Sequence, residues 1–511
     1  MAGVIANPSP AFAQACDAPY EMITRLHHPE PGAFMVWNTL YGEEGRQEKF
    51  VSAIGRENGK VLAVGEVQVA KGVKPSLLLV EFDRRGRKIW EKTHAVSNLD
   101  EIVKILPHGE AGYVVLVNKK TSQKHEMMWM GFFDGKGKLT SGKNIQAKGV
   151  NLRANDLQPK VGGDGWAIPV LTSSQNDSGA ENTQKNASVL ILDKNGNQKN
   201  TRSYVLGKTT NINSLSVAKF DGDTLGYIAT GYFENNNGKE IGWVLRLDED
   251  LSIVWQKEFS RGVSAKVMSS VPDKDGDVYV AANIGAADSD SDGVWFAKLD
   301  GMSGNMPWQR YYMSENGTHH YNARGLNVNK DGLVALLMMA EAVDEDEQRQ
   351  KGAPQKDKMS GFGITSESDY GHLLTLSPRG ITLSGDAFYY GQGVSLSQLS
   401  ESKDGQRIIV GHSFVKPDMP MAKKIEEDPL VGKPLNELGD VRLPDVDLSD
   451  NTKKGLALLQ KKISAQALID QKEDKDNHDE SAKNIEKRSG LVQKGWVVIG
   501  DMPDPYVDPC K

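Results

Sequence analysis

The stretch GWVLRLDEDLSIVW (residues 242–255) decides the fold. Apolar Trp243, Leu245 and Leu247 alternate with Val244 and Arg246, the period of a β-strand. Asp248 then opens a turn, and a second strand ends on Trp255. Asp supplies a turn with its own side-chain acceptor, so the whole stretch reads as a β-hairpin. The unit recurs as LLLVEFDRRGRKIW (77–90), MMWMGFFDGKGKLT (127–140) and SVLILDKNGNQKNT (188–201). It recurs again as VWFAKLDGMSGNMPW (294–308) and HLLTLSPRGITLSG (372–385). The turn residues are Asp83, Asp134, Asp193, Asp248 and Asp300, with Ser377 in the sixth copy.

A second hairpin type lies between these copies, at 50–67, 102–119, 156–173, 215–233, 266–284, 323–340 and 396–413. Each has a Gly-containing turn near its middle. Two hairpins per repeat make four antiparallel strands, the content of one propeller blade. Seven inner hairpins face only six complete outer ones. The two chain ends can supply the missing pair: MVWNTLYG (35–42) and GWVVIG (495–500). The expected fold is therefore all-β, a seven-bladed β-propeller closed by N- and C-terminal strands in one blade. A helical insertion is expected in that last blade. Closure of this kind leaves no pair of open sheet edges.

The hairpins resemble those of secreted bacterial β-propellers with Asp-x-x-Gly-x-x-x-Trp blade repeats, a shape shared with quinoprotein-like and WD-repeat proteins. The resemblance covers roughly residues 33–415 and 491–506 and carries architecture rather than activity. The Trp is missing after Asp134, Asp193 and Ser377, so a quinone cofactor docked by a regular Trp motif is not implied. The Trp residues are expected to pack between blades.

Working outward, residues 1–15 read as a residual signal or a disordered N-terminus, with Ala11-Phe12-Ala13 and Ala13-Gln14-Ala15 as small-x-small sites. Residues 16–415 are assigned to the propeller, 416–490 to an insertion and 491–511 to the closing strand. The insertion is charged at 30 of its 75 positions and Pro-rich in its first half. A helix is expected near 453–471, where Leu456, Leu459, Ile463 and Ala467 share one face. Segments 172–187, 285–293 and 340–369 are expected as further loops on the same face. Blade closure would also bring Cys16 and Cys510 together as a disulfide, which a periplasmic or secreted location permits.

Composition narrows the function. The chain has 511 residues and a net charge of −7, which excludes a nucleic-acid binder built on a basic surface. No stretch has the length and apolarity of a membrane helix. Asp288, Asp290 and Asp292, followed by Gly293, carry the core of a calcium loop, but Phe296 and Leu299 stand where later ligands belong. Calcium is possible there; an acidic solvated loop explains the residues as well. His319 and His320 are adjacent on a strand, so they point to opposite sides and do not chelate one ion. No nucleophile elbow, zinc-protease helix or phosphate loop is present. Two readings follow. The first is a non-enzymatic envelope propeller that binds a protein partner through its insertion-bearing face. The alternative is a hydrolase or lyase acting on sugar or phosphate esters at the central channel.

Overall fold

In the computed structural model, residues 18–26, 35–43, 45–70, 73–121, 125–175, 181–220, 223–285, 292–315, 317–343, 369–389, 393–402, 404–415 and 492–500 are described. All of them belong to one of two compact units into which the chain divides. The expected helical insertion, Cys16 and Cys510 lie outside the described residues.

The chain opens with strands β1 (Glu21–Leu26) and β2 (Met35–Tyr41) and then runs in antiparallel meanders. The first meander is β3 (Gln47–Gly55), β4 (Val61–Gln68), β5 (Ser76–Phe82) and β6 (Lys88–His94). Next come β7 (Leu99–His108), β8 (Gly112–Lys120), β9 (Glu126–Phe133) and β10 (Leu139–Ile145). In the third, β11 (Val150–Ala154) and the short β12 (Gln158–Pro159) both pair with β13 (Gly165–Gln175). It continues through β14 (Glu181–Asp193) and β15 (Gln198–Tyr204). The fourth is β16 (Thr209–Phe220), β17 (Asp223–Glu234), β18 (Glu240–Leu247) and β19 (Ile253–Phe259). The fifth is β20 (Ser264–Pro272), β21 (Val278–Gly285), β22 (Gly293–Leu299) and β23 (Trp308–Ser314). The sixth is β24 (His319–Val328), β25 (Val334–Ala342), β26 (Tyr370–Leu376) and β27 (Thr382–Phe388). The last begins with β28 (Val394–Glu401) and β29 (Arg407–Val415), takes β30 (Val492–Gly500), and ends on β2 from the other end of the chain.

A parallel contact between Lys185 and Thr209 joins the third and fourth meanders into one nine-stranded sheet. The segment 172–187, expected as a loop, is largely strand: β13 and β14 run on to Gln175 and back from Glu181. The register explains it, since Thr172 faces Asn186, Ser173 faces Lys185 and, past a shift in register, Gln175 faces Glu181. The first meander's turn shows why Asp recurs: Asp83 Oδ1 accepts the N–H of Arg85 at 2.8 Å and of Arg87 at 2.9 Å. Ser377 Oγ accepts the equivalent pair from Arg379 and Ile381, so Ser can stand in for Asp.

The core is distributed between meanders rather than inside them. Each apolar cluster is shared by two neighbours; Val64 and Leu79 of the first, for instance, pack with Ile105 and Val115 of the second. The cluster of Phe50, Phe82, Val410 and Val497 joins the last meander back to the first. Burying aliphatic and aromatic side chains in this way stabilises at roughly 1.5–3 kcal/mol each. The Trp residues act at the same seams. A Cβ on Gly380, in the sixth meander's turn, would lie 2.7 Å from the Trp308 ring of the fifth. Gly137 meets Trp90 of the preceding meander at the same distance. The fold is all-β and of β-propeller type, and no α-helix occurs among the described residues.

Candidate functional site

The first strand of every meander faces one shared cavity of about 1070 Å³. Polar side chains tie several of the first strands to the next. Ser52 Oγ accepts the Ile105 N–H, Asp156 Oδ2 accepts the Leu215 N–H, and Asn213 donates to the Val267 carbonyl. Gln398 Oε1 accepts the Ala53 N–H and so links the last meander to the first.

These strands share a second device. The pairing register slips by one residue between Phe50 and Ser52, Ile102 and Lys104, and Ile212 and Ser214. It slips again between Val267 and Ser269, Ala323 and Gly325, and Leu396 and Gln398. Each slip is a β-bulge that re-aims side chains, and each extra residue lines the cavity. In the third meander the strand breaks altogether between β11 and β12, which is where Asp156 sits. The bulges bring backbone close to the second strand. A Cβ on Gly231 would lie 1.9 Å from the Asn211 carbonyl oxygen, and one on Gly65 would lie 2.0 Å from that of Lys49. Only glycine fits there.

Charged groups gather on this cavity in three sets. Lys49 and Glu66 are direct cross-strand partners, with Lys49 Nζ 3.1 Å from Glu66 Oε2. Glu66 is buried, and burial pushes its carboxyl above the ordinary value. The nearby charge of Glu101 pushes the same way, against Lys49. Glu101 itself is gripped from two sides. Arg153 donates to it at 2.7 Å and to Asp100 at 2.8 Å, while the buried Asn118 amide donates to Glu101 at 3.1 Å. Asn118 also exchanges two 2.8 Å bonds with the backbone of Ala154, fixing the strand that carries Arg153. Farther along the strands, Lys104 pairs with Asp156 at 2.7 Å. The array thus sets a carboxyl that burial biases toward its neutral form near a second carboxyl gripped by Arg153 and Asn118.

The residues singled out from sequence fare differently. Asp288 and Asp290 lie outside the described residues. The Asp292 N–H donates to His320 Nδ1 at 3.0 Å and its carbonyl accepts from Tyr321. Among the described residues no cluster of three His, Cys, Asp or Glu could hold a metal ion. His319 is buried edge-on against Tyr370, while His320 is half-buried on the other side of the strand. The cavity residues Glu66, Glu101, Arg153 and Asp156 were not anticipated. For Glu101 the slips in β7 hide the signal by shifting the alternation, while Glu66 lies on the regular β4 and Asp156 in the break between β11 and β12.

No protein-family model matches the chain, and no curated protein sequence matches it. Solved structures do. A Mycobacterium tuberculosis puromycin-hydrolyzing peptidase matches at 11% identity over 71% of this chain and 58% of its own, with a TM-score of 0.39. The Penicillium chrysogenum α-L-arabinanase complexed with arabinobiose matches at 9% identity over 60% of this chain and 93% of its own, also at 0.39. A Fusarium graminearum GH93 α-L-arabinofuranosidase gives 10% identity, 60% and 93% coverage and a TM-score of 0.39. These are hydrolases, and they correct the first functional expectation. The reading as a non-enzymatic envelope propeller that binds a protein partner through its insertion-bearing face is set aside. The expected channel is a carboxylate- and arginine-lined cavity, not one plugged by apolar side chains. No helix among the described residues is long and apolar enough to cross a membrane.

Proposed function

We propose that the chain is a seven-bladed β-propeller, closed by β2 and β30 in the last blade, and that it is a hydrolase of sugar or phosphate esters. Its active site is the cavity between the first strands. The observation that carries this reading is Glu66, a buried carboxyl held toward its protonated form beside Glu101. Glu66 donates its proton to the leaving-group oxygen as the bond to the sugar carbon or phosphorus breaks. Glu101, kept in place by Arg153 and Asn118, takes a proton from the attacking water, whose oxygen forms the new bond. Proton return through solvent completes the cycle. An extracytoplasmic location belongs to the same proposal and is supported by the small-x-small sites near Ala13.

The test is a panel of nitrophenyl glycosides, carboxylate esters and phosphates, followed by Glu66→Gln on whichever substrate turns over. Loss of about 10²–10⁴-fold in kcat is expected. Wild-type activity should fall as pH rises through the ionisation of Glu66, because the acid form is the working one. A Glu66→Gln enzyme with the wild-type rate and pH profile refutes the assignment.

A further inference from the structure

The outermost strands β6, β10, β15 and β19 are exposed or half-buried along nearly all their length, and β23 is not. β15 is exposed at every position but Tyr204, whereas β23 is buried at every position but Met313. A strand buried on both faces belongs inside a sheet. What covers the edge of β23 is β1, added in parallel with Glu21 opposite Gln309 and Leu26 opposite Ser314.

The edge is built to receive a strand. Arg310 is fully buried, and among the described residues no carboxylate pairs with it. Its guanidinium donates instead to main-chain carbonyls: Gly380 at 3.0 Å, Arg379 at 2.9 Å and Gln309 at 2.7 Å. The remaining acceptors are Pro19 at 3.0 Å and Tyr20 at 3.3 Å, both on the incoming segment. A buried guanidinium left short of acceptors is costly, so the site demands an extended backbone there. Side-chain selection falls on one residue. Glu21 accepts from Arg261 at 3.1 and 3.3 Å and from Gln309 Nε2 at 2.8 Å. Otherwise β1 sits shallowly. Tyr20 is 52% exposed and Ile23 53%, and only Leu26 is buried. The strand is held by backbone bonds and one carboxylate rather than by apolar burial, so what the slot selects is an extended segment carrying that carboxylate, from whichever chain supplies it.

We propose that the β23 edge is a strand-accepting site, filled by β1 of its own chain and equally by β1 of a second copy. Every copy carries both the strand and the slot, so exchange between two chains is self-complementary. Charge reversal on the full chain separates exchange from simple folding-back. In Glu21→Arg the strand meets Arg261 of its own slot, and in Arg261→Glu the slot meets its own Glu21. Mixing the two variants restores opposite charges only between chains. With one variant isotopically labelled, native mass spectrometry should show the mixed dimer about tenfold above either homodimer. Monomers throughout, or a statistical mixture of dimers, would overturn the proposal. Hydrogen exchange on the unaltered protein gives an independent reading. Amides of β1 should exchange about 100-fold faster than those of β22, and equal protection would also overturn it.

Discussion

The first and outermost strands of one meander form its two opposite edges and are built by opposite rules. β16 carries register slips, inward polar groups and a glycine across from its bulge, and it faces the cavity. β19, at the far end of the same sheet, slips only beside its hairpin turn, then alternates exposed and half-buried residues and presents Trp255 to the next turn. Across the meanders the inner slips fall within the strand, facing the cavity, whereas the outer slips fall beside the hairpin turn and leave the rest of the strand regular. This division agrees with the general placement of bulges beside active sites.

Breaking the inner rule should have the largest effect. Gly231→Val drives a side chain into the Asn211 carbonyl region, and a loss of about 4 kcal/mol is expected in urea unfolding. A loss below about 1 kcal/mol would show that the bulge relaxes freely. The outer rule is next. Trp308→Ala removes a buried ring packed on Gly380 and against Phe296, and should cost about 3 kcal/mol. Trp90→Ala, at a more exposed seam, should cost less in the same assay. Equal losses at the two would contradict the claim that burial sets the strength of each seam.

The smallest effect is electrostatic. Glu91 on β6 is partly buried, which disfavours its charge. Hydrogen bonds from Tyr41, Arg46 and Lys88 outweigh this and lower it from 4.5 to about 2. A carboxyl depressed in the folded state stabilises above its unfolded value and loses that contribution as pH falls toward about 2. After solvent screening the effect should be about 1 kcal/mol. Glu91→Gln should therefore lower stability at neutral pH and flatten its decline between pH 4.5 and 2. An unchanged acid limb would remove this link between β2 and the first meander.

The contrast also explains what the sequence revealed. Outer hairpins follow an alternation and a turn chemistry that are local, so Asp83 and even the substitute Ser377 mark their turns correctly. The Trp-containing pattern of Met35–Tyr41 matches other outer strands, and the segment does pair with β30. β7 breaks its own alternation at its slips, so Glu101 carries no periodic signal, while Glu66 stands on the regular β4 and meets Glu101 only through the packing of neighbouring meanders. β1 was missed for a related reason. Glu21–Leu26 has no hairpin partner nearby, and its partner β23 lies almost 300 residues away.

The central claim is that hydrolysis occurs in the cavity at Glu66. A crystal structure of Glu66→Gln with the substrate that the activity panel identifies tests this most directly. The account predicts the scissile oxygen within about 3 Å of the residue 66 side chain, with Glu101 facing a water on the reacting centre. Substrate bound elsewhere on the molecule, with the cavity holding only solvent, would contradict it.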